Sequence, residues 1–185
     1  MGIAHDIGKN IGKVIEPIRA GDDKLASRKL RATEAMRTIQ ITSSAFTDGG
    51  SLPITFTADG AGVAPPITWT NIPERARSLV LIAEDPDAPF PNPFVHWLVY
   101  SLPVTTASIT SSPPGGREGK NSMLKTGYAP ASPPAGHGLH HYHFQIFALD
   151  IVLELGEGVG RNALLDAMRN HVIAWGDIVA TYERS

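Results

Sequence analysis

With 185 residues, 42% hydrophobic and 18% charged, the chain can bury one sizeable core and is short for two; its composition is that of a globular chain rather than a disordered or membrane-spanning one. A net charge of −2 argues against nucleic acid as the main partner, and zero cysteines exclude disulfides and thiolate chemistry. No apolar run approaches the roughly 20 residues that span a bilayer, and the first residues lack a secretory hydrophobic region, so a cytoplasmic protein is expected.

Residues 1–38 differ from the rest, with a net charge of +3 against −5 for residues 39–185. Ile3, Ile7, Ile11, Val14, Ile15 and Ile18 recur at helical spacing, which predicts an N-terminal helical arm over 1–38, limited near Pro17 and closed at Gly21. So apolar a stripe needs a cover. The arm is expected to dock on its own domain or, as a homodimer, on a second subunit; too few basic residues flank it for a membrane anchor. A further short helix is predicted over Lys24–Leu30.

From Ile39 the pattern turns to β, which makes 39–185 one domain. Short strands are predicted at Ile39–Ser43, Ile54–Thr57 and Ile67–Thr70, separated by glycine- and proline-bearing turns. The aliphatic run Ser78–Ala83 reads as a buried strand that ends in the acidic turn Glu84-Asp85-Pro86-Asp87-Ala88-Pro89. The prolines push Asp85 and Ala88 towards extended backbone and hold the acids at fixed angles. The next strand, Phe94–Tyr100, carries His96 among apolar neighbours, where it must find a hydrogen-bond partner. Residues 103–127 read as a long irregular connection. The stretch Gly127–Asp150 is a proline- and glycine-rich loop feeding an alternating strand. His140, Tyr142, Phe144, Ile146 and Ala148 face one way, and His141, His143, Gln145, Phe147 and Leu149 the other. Leu164, Leu165, Met168 and Val172 mark an amphipathic helix, ended at Gly176 and followed by a strand over Asp177–Tyr182. Short strands with one late helix imply a mostly β, two-sheet antiparallel Greek-key sandwich with peripheral helices.

The succession Asp-Pro-Asp-Ala-Pro (85–89), His-Trp (96–97) and Gly-Leu-His-His-Tyr (138–142) resembles the phosphatidylethanolamine-binding, or Raf kinase inhibitor-like, protein family, nearest its bacterial branch. The likeness runs from about Ile39 to Tyr182 and implies the same sandwich with a small pocket near one edge. It also implies a ligand site at Asp85, Asp87, His96, His140 and Tyr142, with Pro133 and Pro134 as its proline loop, and a cis peptide bond before Pro89. Imidazole N–H and phenol O–H groups suit phosphate oxygens, and a carboxylate orients an imidazole. Two positions depart from the family pattern. His141 stands where an arginine is usual, which is expected to make the support of Asp87 weaker or pH-dependent. Ser132 stands where glycine is common beside the prolines.

The resemblance therefore implies a non-catalytic protein that binds a phosphate monoester or phosphoethanolamine head group without a cofactor. It also implies a regulatory role as an inhibitor of a kinase or protease partner. The alternative is a hydrolase using the Asp/His pocket for acid–base chemistry, although no Gly-x-Ser-x-Gly elbow is present. A metal site at His137, His140, His141 and His143 is disfavoured, because successive strand residues face opposite sides. A histidine cluster that only satisfies a polar core is the remaining reading.

Overall fold

The structure, a computed structural model, describes residues 10–184 apart from Gly12 and Glu16. After a helical stretch that includes Ile11, Val14 and Ile15, the labelled elements begin with the short helix α1 (Ala26–Lys29). Strands β1 (Gln40–Thr42), β2 (Gly50–Ser51), β3 (Ile67–Thr70), β4 (Ser78–Asp85) and β5 (Phe94–Leu102) follow. Then come β6 (Ser108–Ile109), β7 (Arg117–Glu118), β8 (His140–Leu149), helix α2 (Arg161–Met168) and β9 (Val172–Tyr182). The long connection over 103–127 thus carries two two-residue strands.

The strands form two sheets, one of three strands in the order β1-β3-β6 and one of six in the order β2-β9-β8-β4-β5-β7. Most pairs are antiparallel, as expected, but β2 pairs with β9 in parallel, which corrects the all-antiparallel expectation. That pair is a two-residue edge, held by backbone bonds from Gly49 to Val179 and from Leu52 to Thr181. Among the described residues no helix is long and apolar enough to cross a membrane.

Alternation along the central strands creates two apolar layers. Leu79, Leu81 and Ala83 of β4 join Trp97 and Val99 of β5 and Tyr142, Phe144, Ile146 and Ala148 of β8 on one face. There they meet Ile67 and Trp69 of the small sheet. On the other face Val80, Ile82, Leu98, Tyr100, Phe147 and Leu149 pack on Ala26 of α1 and on Leu164, Leu165 and Met168 of α2. Burying a side chain of this size contributes about 1.5–3 kcal/mol, so the layers and not the short helices carry the fold.

Two elements differ from expectation. Ile54–Phe56 is a 3₁₀ turn and not a strand. Pro53 opens it, and Thr57 closes it by donating from both N and Oγ1 to the Ile54 carbonyl, a local alternative to a sheet ladder. The late helix ends at Met168, because Asn170 takes a left-handed φ of 68°, and Val172 already belongs to β9. Gly176 therefore lies inside a strand and does not stop a helix. A Cβ there would sit 2.3 Å from the Ile39 carbonyl oxygen, so the glycine admits the chain that enters β1.

Ile3 and Ile7 of the predicted stripe lie outside the described residues. Ile11, Val14 and Ile18 are exposed, and Ile15 is half-buried. Beyond them the chain runs as a strap along the large sheet's acidic turn, where Ala20 N donates to the Ala88 carbonyl and Gly21 N to that of Pro86.

Candidate functional site

At the end of β4 two adjacent acids part to opposite faces. Glu84 turns to the helix face, where its carboxylate accepts from Ala26 N, Gln145 Nε2 and Arg161 Nε. Asp85 turns to the other face. Its Oδ1 accepts the Asp87 N–H at 2.8 Å, a short side-chain turn that fixes the loop, and its Oδ2 lies 2.7 Å from His140 Nδ1. Both acids are almost fully buried.

His96 reaches the same side through a fault in strand pairing. Ala83 pairs with Trp97 and Glu84 with Val95, so His96 is the extra residue of a β-bulge. Strict alternation would aim it opposite to Trp97, at the helices. The bulge turns it instead between Phe94 and Tyr142, with ring centroids 4.7 and 5.1 Å away. Its Nδ1 lies 2.6 Å from the Ala129 carbonyl, and its carbonyl accepts the Ala129 N–H.

From Asp85 a chain of hydrogen bonds leads outwards. His140 Nε2 is 2.7 Å from His137 Nδ1, and His137 Nε2 is 2.9 Å from the Ile15 carbonyl of the helical stretch before the strap. Acceptors close both ends, so each imidazole is engaged through both of its nitrogens.

Asp85, His96, His140, Phe94, Pro133 and Pro134 line a cavity of about 300 Å³ whose wall is mostly apolar. Five of the seven residues expected from the sequence thus converge there. Tyr142 stands behind them, its ring 6.4 Å from that of His140, and its buried hydroxyl has no partner among the described residues. Burial above all, with the Asp85 charge adding, pushes its pKa far up, so it stays a phenol. Asp87 faces away from the cavity. Its Oδ2 accepts from His141 N and Nδ1 at 2.8 and 2.7 Å, and its Oδ1 lies 2.6 Å from Arg19 Nη1. Burial tends to raise the Asp87 carboxyl, but the bonds from His141 and Arg19 outweigh it and hold it below the usual carboxylate range.

The Ala88–Pro89 bond is trans, since the described residues contain no cis peptide; the expected cis proline is corrected. Proline is instead the middle residue of a tight turn in which Phe90 N donates to the Ala88 carbonyl at 2.8 Å, a geometry that suits its fixed φ. Ser132, the second departure, bonds to Arg184, which is itself clamped on Asp59, so it ties the proline loop to the chain's end. The histidine cluster forms no group of three metal-ligating side chains among the described residues: His141 is taken by Asp87 and His143 by Asp177.

Two contributors lie outside the set expected from the sequence. His137 stands in Gly-His-Gly with no local sign of its bond to His140, and nothing near Arg19 in the sequence points to Asp87.

Comparison with known proteins bears on the family and the fold. The family model described as phosphatidylethanolamine-binding protein matches residues 42–183. A UPF0098 protein of Pyrococcus horikoshii is 37% identical over 150 residues, covering 77% of this chain and 75% of that protein. Among solved structures, a phosphatidylethanolamine-binding protein homolog of Chlamydia trachomatis superposes with a TM-score of 0.76 at 36% identity, over 80% of this chain and 99% of that one. YbcL of Escherichia coli, described as a new member of the mammalian family, gives 0.74 at 28% identity with the same coverage.

Proposed function

The chain belongs to the phosphatidylethanolamine-binding protein family, and on that premise we propose that its cavity binds a small phosphate-bearing molecule, such as a phosphate monoester or a phosphoethanolamine head group. The observation that carries this reading is the convergence of Asp85, His96 and His140 on one small, mostly apolar cavity, with Asp85 Oδ2 engaged by the His140 imidazole. A space of about 300 Å³ suits a head group and is too small for acyl chains. We read the site as a binding site: both nitrogens of His140 are engaged, so the Asp85–His140 pair offers no free general base. With few donors the affinity should be micromolar to millimolar, about −4 to −8 kcal/mol.

Titrating phosphoethanolamine into ¹⁵N-labelled protein should give saturable shifts at His96 and His140, and the shift at His96 should vanish in His140→Ala. The absence of any saturable change would overturn the reading.

The exposed Ile11, Val14 and Ile18 are the surface through which a second copy of the chain, or a partner protein under regulation, would be held. Light scattering at tens of micromolar tests the dimer, which a monomeric mass would refute.

A further inference from the structure

His96 lines the cavity, and its ring carries a buried hydrogen-bond acceptor that no group among the described residues meets. His96 is 4% exposed and its Nδ1 lies 2.6 Å from the Ala129 carbonyl oxygen. A carbonyl oxygen only accepts, so the ring's proton is on Nδ1. In the neutral ring Nε2 then carries a lone pair, and that atom is buried without a partner. Burial, the largest influence, lowers the pKa of this imidazole; Asp85 and the Ala129 carbonyl oppose, His140 adds, and the net shift favours the neutral form.

None of the described groups around it donates to it. Asp85 from β4 is a carboxylate. His140 from β8 is bonded through both nitrogens. The Tyr142 hydroxyl is itself unpartnered, and Tyr128 donates to the Phe56 carbonyl. Asp85 adds to the imbalance, because each of its oxygens accepts one bond and retains capacity for another. The acid and the two histidines of the wall thus offer acceptors and no free donor.

We infer that the cavity recognises its ligand through a hydrogen that the ligand itself brings, as the P–O–H of a singly protonated phosphoryl group donating to His96 Nε2. An anion of equal charge and similar size with no such hydrogen would leave the buried lone pair unmet. This rests on the anion-site reading above and narrows it to one protonation state of one ligand class. The ammonium of phosphoethanolamine offers the same donor, so the test uses methyl phosphate, whose only donor is P–O–H.

The experiment compares methyl phosphate with methyl sulfate at pH 5.5, just below the phosphate monoester's second pKa of about 6, where both are chiefly monoanions. Methyl phosphate should bind about tenfold tighter or more, the difference expected when a buried polar atom is left unpaired. The preference should fall to within about twofold in His96→Phe, which keeps an aromatic ring between Phe94 and Tyr142. The ¹⁵N-histidine spectrum of the unchanged protein at the same pH should show His96 protonated on Nδ1 and bare on Nε2, a measurement that does not depend on the variant folding. Equal binding of the two ligands, or a proton on Nε2 in the free protein, overturns the inference and leaves the anion site standing. If neither ligand binds, the anion reading falls and this inference with it.

Discussion

Arg19 Nη1 stands 2.6 Å from Asp87 Oδ1, and the same guanidinium donates to the carbonyls of Leu139 and His137. A residue of the N-terminal segment thereby ties the acidic turn to the loop that delivers His140. His141 completes the clamp on Asp87, so the turn is held by a guanidinium and an imidazole together. Deleting the arm would remove this support as well as the apolar stripe.

Arg19→Gln should lower stability at neutral pH by about 0.5–1 kcal/mol, discounted for the partial exposure of the arginine. The Asp87 carboxyl is depressed in the folded state, so its contribution is present above the ordinary carboxylate pKa and is lost as pH falls through the folded value. In the variant that loss should begin at higher pH, and the two proteins should converge in acid. Urea unfolding from pH 2 to 7, with ¹³C titration of Asp87, reads both effects. An unchanged Asp87 titration would show that the ion pair does not form in solution.

Arg161→Ala should be far more costly, about 3–5 kcal/mol, because it strands Glu84, whose side chain is wholly buried, without its counter-charge. Arg161 also donates to the Lys24 carbonyl, so α2, the segment before α1 and β4 meet at this one guanidinium. Adding Glu84→Gln should recover part of the loss, since the amide removes the unpaired charge. A single variant within 1 kcal/mol of the parent, by the threshold of an exposed pair, would place the arginine in solvent.

His143 Nδ1 lies 2.8 Å from Asp177 Oδ2 across the β8–β9 ladder. Burial by itself would lower the imidazole's pKa, but the bond to Asp177 and the charges of Asp177, Asp22 and Glu84 prevail and raise it. The stability this provides is complete below the unfolded histidine pKa of about 6.5 and is lost as pH rises through the higher folded value. Asp177→Asn should therefore cost about 1–2 kcal/mol at pH 6, as expected for a hydrogen bond to a charged group, and less at pH 9. Thermal melts across that range give the comparison; a loss equal at both pH values would mean that the pair is neutral throughout.

What the sequence determined by itself is what depends on near neighbours. The alternation of β8 sent Tyr142, Phe144, Ile146 and Ala148 to one layer and Phe147 and Leu149 to the other, because successive side chains of any strand point oppositely. Pro86 and Pro89 placed a rigid turn after β4, and Asp85 at its root, through restrictions that reach only one residue. Tertiary structure decided whatever depends on a partner far away in the chain. His96 faces the cavity only because β5 slips one residue against β4, and strand register is a property of two strands. Gly176 reads as a helix stop until Ile39 passes over it. Arg19 and His137 lie 118 residues apart, and they meet because the strap's backbone donors find the carbonyls of the acidic turn, a pairing that no local spacing records.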